Sequence, residues 1–138
     1  MSPQLENALG KVIALVDDLF FRARIAETAR HAGVEFEAVG TGPALLERLR
    51  AILGAGGGKD GRPALIILDL NAHGGALEAL RELQAAGNQI PVVAFLSHVQ
   101  TELAEQALAA GCSEVMPRSK FTQNLAAILG RAKAGVGE

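Results

Sequence analysis

Three runs of the chain are apolar without a break: Val12-Ile13-Ala14-Leu15-Val16, Ala64-Leu65-Ile66-Ile67-Leu68 and Val92-Val93-Ala94-Phe95-Leu96. Runs of this length predict strands buried on both faces, the pattern of a parallel sheet covered by helices on each side. Val34 to Val39 instead alternates apolar and acidic residues, which predicts a half-exposed edge strand. Glu114-Val115-Met116 is a short fifth strand. Between the strands the apolar residues recur at helical spacing. Phe21, Ile25, Ala29 and Ala32 form one such face, stopped by Gly33. Gly42-Pro43 opens a second helix with Leu45, Leu46, Leu49, Ile52 and Leu53 inward. A third helix turns Leu77, Leu80 and Leu83 inward and runs to Gly87, and a fourth turns Leu103, Ala107 and Ala110 inward and stops at Gly111. A last helix over about Phe121 to Arg131 carries Leu125, Ile128 and Leu129.

Strands alternating with helices five times predict an α/β, (βα)5 doubly wound parallel sheet in the flavodoxin-like order 2-1-3-4-5. The 138 residues are expected to form a single domain, with a core over about residues 11–131, a flexible glycine-rich loop at 54–63 and frayed ends.

The strand ends carry the chemistry. Asp17 and Asp18 close the first run and Asp69 closes the third strand. In the order 2-1-3-4-5 strands one and three are neighbours, so the three carboxylates reach one edge, where open α/β sheets hold ligands. Three acids there need a cation or hydrogen bonds to stay ionised, and Mg²⁺, a hard ion bound through oxygen, suits them. A lone acid at a strand end is more often a solvated loop residue or a helix cap, and Asp18 is placed to cap the first helix.

Composition narrows the classes. A net charge of -2 with no Lys/Arg cluster gives no nucleic-acid surface. No apolar stretch approaches the roughly 20 residues of a membrane span. Nothing at the start resembles a signal peptide, so a cytoplasmic protein is expected. The single Cys112 excludes an internal disulfide and is expected to be a buried structural thiol.

With these residues in place, the chain resembles the receiver domain of bacterial two-component response regulators over about Lys11 to Leu129. The resemblance rests on Leu15-Val16-Asp17-Asp18, on Ile67-Leu68-Asp69-Leu70 and on Gly111 to Met116. It implies Asp69 as phosphoacceptor. It also implies Mg²⁺ held by Asp17, Asp18, Asp69 and the backbone carbonyl of Asn71. The implied partners are a histidine kinase or other signalling protein, with docking or homodimerisation through the face of the fourth helix, fifth strand and fifth helix. Such a module is not an enzyme beyond its own phosphorylation and dephosphorylation. The chemistry is coherent: a carboxylate attacking phosphorus forms an acyl phosphate, and positive charge opposite the incoming group stabilises its oxygens.

Several positions depart from the family. The phosphate-contacting lysine falls on Arg118, with Ser119 where proline is usual and Lys120 two residues further. The hydroxyl position falls on Leu96, leaving Ser97 as the nearest donor, and the aromatic switch position falls on Val115. Leu96 and Val115 are therefore degenerate switch positions, while Ser97, Arg118 and Lys120 are the candidate phosphate contacts. Phe20 borders the expected pocket, His73-Gly74-Gly75 replaces the usual loop after the phosphoacceptor, and His98 lies beside Ser97. These departures favour a stand-alone receiver-like module working through protein contacts, with weak or absent phosphorylation. The alternative is a fully functional Mg²⁺-dependent, phospho-accepting single-domain regulator. A flavodoxin-like cofactor-binding protein is more remote. Its first strand-helix turn, Asp17 to Phe21, has no glycine or hydroxyl to cradle phosphate, and no Trp or Tyr is present to stack a flavin.

Overall fold

The computed structural model describes residues 10–54, 62–97 and 100–137, with side chains to 133. The elements in chain order are β1 (Lys11–Leu15), α1 (Leu19–Ala32), β2 (Glu35–Val39), α2 (Gly42–Gly54), β3 (Leu65–Asp69), α3 (Ala76–Ala85), β4 (Val92–Leu96), α4 (Thr101–Ala109), β5 (Glu114–Pro117), α5 (Arg118–Gln123) and α6 (Leu125–Gly137). The sheet is all parallel in the order β2-β1-β3-β4-β5, as expected from the run pattern.

The apolar runs divide residue by residue between two cores, because successive side chains of a strand point to opposite faces. Ile13, Leu15, Ile66, Leu68, Val92, Ala94 and Leu96 enter one core with Leu45 and Leu49 of α2, Leu80 and Leu83 of α3, and Ala107 of α4. Val12, Ala14, Leu65, Ile67, Val93 and Phe95 enter the other with Phe21, Ile25 and Ala29 of α1, Phe121 of α5, and Leu125, Ile128 and Leu129 of α6. Cys112 is buried in the first core, and burial pushes its thiol up to about 11, so it is an inert packing group.

Helix α1 starts where Asp18 turns its Oδ1 to accept the Phe21 N–H at 3.1 Å, and it stops at Gly33, whose φ of 75° is left-handed. The turn entering α2 packs on the loop after β3. The Gly42 N–H donates to the Gly74 carbonyl at 2.7 Å, and a Cβ added at Gly74 would sit 2.5 Å from the Thr41 Cα. Gly74 therefore serves a close backbone approach, while Gly75 takes a left-handed φ of 82°.

Some expectations need correction. The last helix begins three residues earlier, at Arg118, breaks at Asn124 and resumes to Gly137. At the break the Asn124 side chain donates to the Lys120 carbonyl at 2.9 Å, a local bond that competes with helix continuation. Leu53 is 46% exposed because the buried stripe of α2 is Gly42, Leu45 and Leu49, and Leu53 lies at the helix end. β2 is half-exposed as expected, but its acids do not simply alternate outward. Glu37 is partly buried beside Lys11 of β1 and Arg48 of α2, and the Arg48 hydrogen bond holds its carboxyl below the usual range. Residues 55–61 of the glycine-rich loop and His98 lie outside the described residues.

Candidate functional site

Asp69 is the last residue of β3, between β1 and β4 at their carboxyl ends, and is only 4% exposed. Among the described residues it is the one charged side chain in the buried class. Burial pushes its carboxyl above the usual range, the Asn71 N–H at 2.9 Å opposes that, and nearby Asp17 and Asp18 push it further up while Arg118 lowers it. A buried carboxylate with a raised pKa at a switch point is a functional candidate on physical grounds.

Asp17 and Asp18 lie between β1 and α1, and each is already engaged. Asp17 Oδ2 accepts the His73 backbone N–H at 2.9 Å and stands 3.1 Å from His73 Nδ1. The backbone bond is the main reason its carboxyl lies below the ordinary range. Asp18 uses Oδ1 to cap α1 and Oδ2 to accept Arg118 Nη2 at 2.9 Å; the Arg118 bond holds its carboxyl low. The Arg118 guanidinium lies 4.0 Å from the centre of the Phe21 ring. That ring is held by Phe95 and Phe121, with centroids 5.3 and 6.0 Å away.

The loop after β3 is tied to the loop after β4 through Asn71. Its Oδ1 accepts the Ser97 backbone N–H at 2.6 Å and its Nδ2 donates to Gln100 Oε1 at 2.8 Å. Ser97 follows the end of β4 and is exposed, while Leu96, where the resemblance puts the hydroxyl, is buried in the core. Val115 is partly buried on β5, packed against the same core as Leu96. Lys120 is exposed on α5, and Phe20 is 90% exposed at the start of α1.

The structure thus sets Asp17, Asp18, Asp69 and Arg118 within electrostatic reach of one another, but among the described residues no group of three or more His, Cys, Asp or Glu side chains converges as for a metal ion. The oxygen donors suit Mg²⁺ in kind. In arrangement, Asp17 Oδ2 is bonded by His73, Asp69 Oδ1 by the Asn71 N–H, and the two oxygens of Asp18 by Phe21 and Arg118, with Arg118 the one permanently charged partner among them. Three roles escape the sequence: the His73 clamp on Asp17, the Asn71 side-chain bridge, and Phe21 as the seat of Arg118. Only the unusual His73-Gly74-Gly75 hinted at the first. The resemblance puts Asp18 and Arg118 at one site, but nothing in the sequence signals that they pair directly.

The sheet order and the helices on both faces are those of solved response-regulator receiver domains. The resemblance to solved structures is fold-wide. The phosphorylated cyanobacterial phytochrome response regulator RcpA superposes with a TM-score of 0.72 at 21% identity, covering 88% of this chain and 89% of that one. Chemotaxis protein CheY4 of Vibrio cholerae gives 0.73 at 20% identity over 90% and 98% of the two chains. A CheY-like receiver domain from Methanospirillum hungatei gives 0.75 at only 13% identity over 94% and 97%. No protein-family model and no curated protein matches the chain by sequence. Among the described residues no helix is long and apolar enough to cross a membrane.

Proposed function

We propose that the chain is a receiver-like module of cytoplasmic two-component signalling that works through protein contacts, with Asp69 as a slow phosphoacceptor. The observation that carries this reading is the buried Asp69 at the end of the central strand, with Asp17 and Asp18 beside it. An Asp69 oxygen attacks phosphorus of the donor, the donor's leaving group departs with the bonding pair, and an acyl phosphate remains. A bound Mg²⁺ would neutralise the phosphoryl oxygens. Asp17, Asp69 and the Asn71 carbonyl would hold it. Arg118 lies on the same edge and can donate to the phosphoryl group once it leaves Asp18, and the Ser97 hydroxyl is the candidate second donor. Lys120, exposed on α5, is the more distant candidate contact.

The response then runs through contacts instead of turnover of a substrate. A histidine kinase or another signalling protein is the partner class. The face of α4, β5 and the last helix, here α5 with α6, is the docking surface for a partner or a second copy, and Leu108 of α4 is half-exposed. Leu96 and Val115 supply neither the hydroxyl nor the swinging aromatic ring of the family, so phosphorylation shifts this face only modestly. A phosphorylation-independent docking module is the second reading, favoured by the Arg118–Asp18 pair that already fills the edge.

Intact-mass spectrometry after incubation with Mg²⁺ and acetyl phosphate tests the first reading. A partial, single phosphoryl adduct that disappears in Asp69→Asn is expected. No adduct on the wild-type chain, with either acetyl phosphate or a panel of histidine kinases, would leave the docking reading in its place.

A further inference from the structure

We infer that Arg118 is a built-in counter-cation that withholds Asp18 from divalent metal, so the acidic edge binds Mg²⁺ weakly until the guanidinium is displaced. The inference rests on the acidic edge being the functional site but not on Asp69 being phosphorylated. Its ground is the geometry around one carboxylate. Asp18 Oδ2 takes Arg118 Nη2 at 2.9 Å, and Asp18 Oδ1 takes the Phe21 N–H at 3.1 Å.

The cation is itself fixed from a second direction. Its guanidinium carbon lies 4.0 Å from the Phe21 centroid, and Phe21 packs edge-on against Phe95, which stacks on Phe121 at 4.6 Å. Phe95 and Phe121 are fully buried and Phe21 nearly so, so the ring does not yield without disturbing the core. A planar, delocalised guanidinium can stack on a ring face and bond a carboxylate together; a compact ammonium does this poorly. An isolated ion pair at this exposure contributes little, so the aromatic seat gives Arg118 its hold. A metal ion reaching Asp18 must break the charge-assisted bond and then face the positive charge at short range. Asp17 and Asp69 remain as the acids for a weakened site.

The test is a Mg²⁺ titration followed in amide and arginine Nε–Hε NMR spectra, with no phosphodonor present. Arg118→Ala is expected to tighten Mg²⁺ by at least about tenfold relative to wild type, a conservative figure for freeing the Asp18 carboxylate to bond the ion at close range. Asp18→Asn in the wild-type background is expected to leave the weak affinity within about threefold, yet to remove most of the gain when combined with Arg118→Ala, the remainder being the through-space effect of the lost charge, a coupling read by the double-mutant cycle. Arg118→Gln, which keeps polar reach without charge, repeats the measurement should Arg118→Ala fold poorly. In wild type alone, saturating Mg²⁺ should move the Arg118 Nε–Hε signal. Unchanged or weaker affinity in both Arg118 variants overturns the inference, and so does loss of wild-type binding on Asp18→Asn alone. Because phosphorylation plays no part in the readout, a failed phosphotransfer assay leaves this result standing.

Discussion

Asp69 is held in tension by its neighbours. Burial and the two flanking acids raise its pKa, while one backbone N–H and the charge of Arg118 oppose them. A carboxyl whose pKa is raised on folding contributes its stability below the unfolded value and loses it as pH rises through the folded value. At neutral pH the ionised form therefore costs stability. Asp69→Asn keeps the shape and the acceptor oxygen for Asn71 but carries no charge. Its melting temperature at pH 7 is expected to exceed wild type by about 3–5 °C, equivalent to about 1 kcal/mol for a chain of this size. That advantage should shrink as pH falls and wild-type Asp69 takes up its proton. Thermal melts at several pH values check it, and a variant less stable than wild type at neutral pH would contradict this account.

Between elements, the joint that matters is the one from the end of β3 to the end of β4. Leu96 at the end of β4 is locked in the core, so its side chain is not free to carry a movement outward. The Asn71 carboxamide instead spans the two loops, bonded to the Ser97 N–H and to Gln100. Asn71→Ala removes both bonds and leaves the Ser97 amide to water. It should cost about 1–2 kcal/mol in denaturant unfolding and speed amide exchange at Ser97 above the effect at β4 itself. Equal acceleration along the whole of β4 would argue that the bridge is not local. This joint is legible only in part from sequence. His73-Gly74-Gly75 stands out as unusual and Asn71 does not, and the partners of this loop, Thr41, Asp17 and Ser97, lie about 25 to 60 positions away.

As a whole, the molecule is one sheet serving two cores, and β3 contributes to both. Ile66 faces the core of α2, α3 and α4, while Ile67 faces the core of α1, α5 and α6. Both are fully buried. If the two cores depend on the shared strands, damage to either side weakens the whole. Ile66→Val and Ile67→Val should each cost about 1 kcal/mol, and each variant should still unfold in a single transition. Calorimetry with far-UV circular dichroism tests this; two transitions in either variant would show that the faces melt separately.

The sequence by itself determined the architecture. Unbroken apolar runs this short, alternating with helical stripes, are satisfied by strands covered on both faces, and the stripes supply the covers. It also determined which acids reach the carboxyl edge, because strand ends and sheet order follow from those same runs. The break at Asn124 and the exposure of Leu53 were beyond it, since each turns on one local bond or on how far a stripe extends. The partners of the polar side chains were decided by the tertiary structure alone. Asp18 and Arg118 are 100 residues apart and meet only because β1 and β5 end at the same edge, where the Phe21 ring seats the guanidinium. Periodicity records burial, and burial does not say which charge a carboxylate faces.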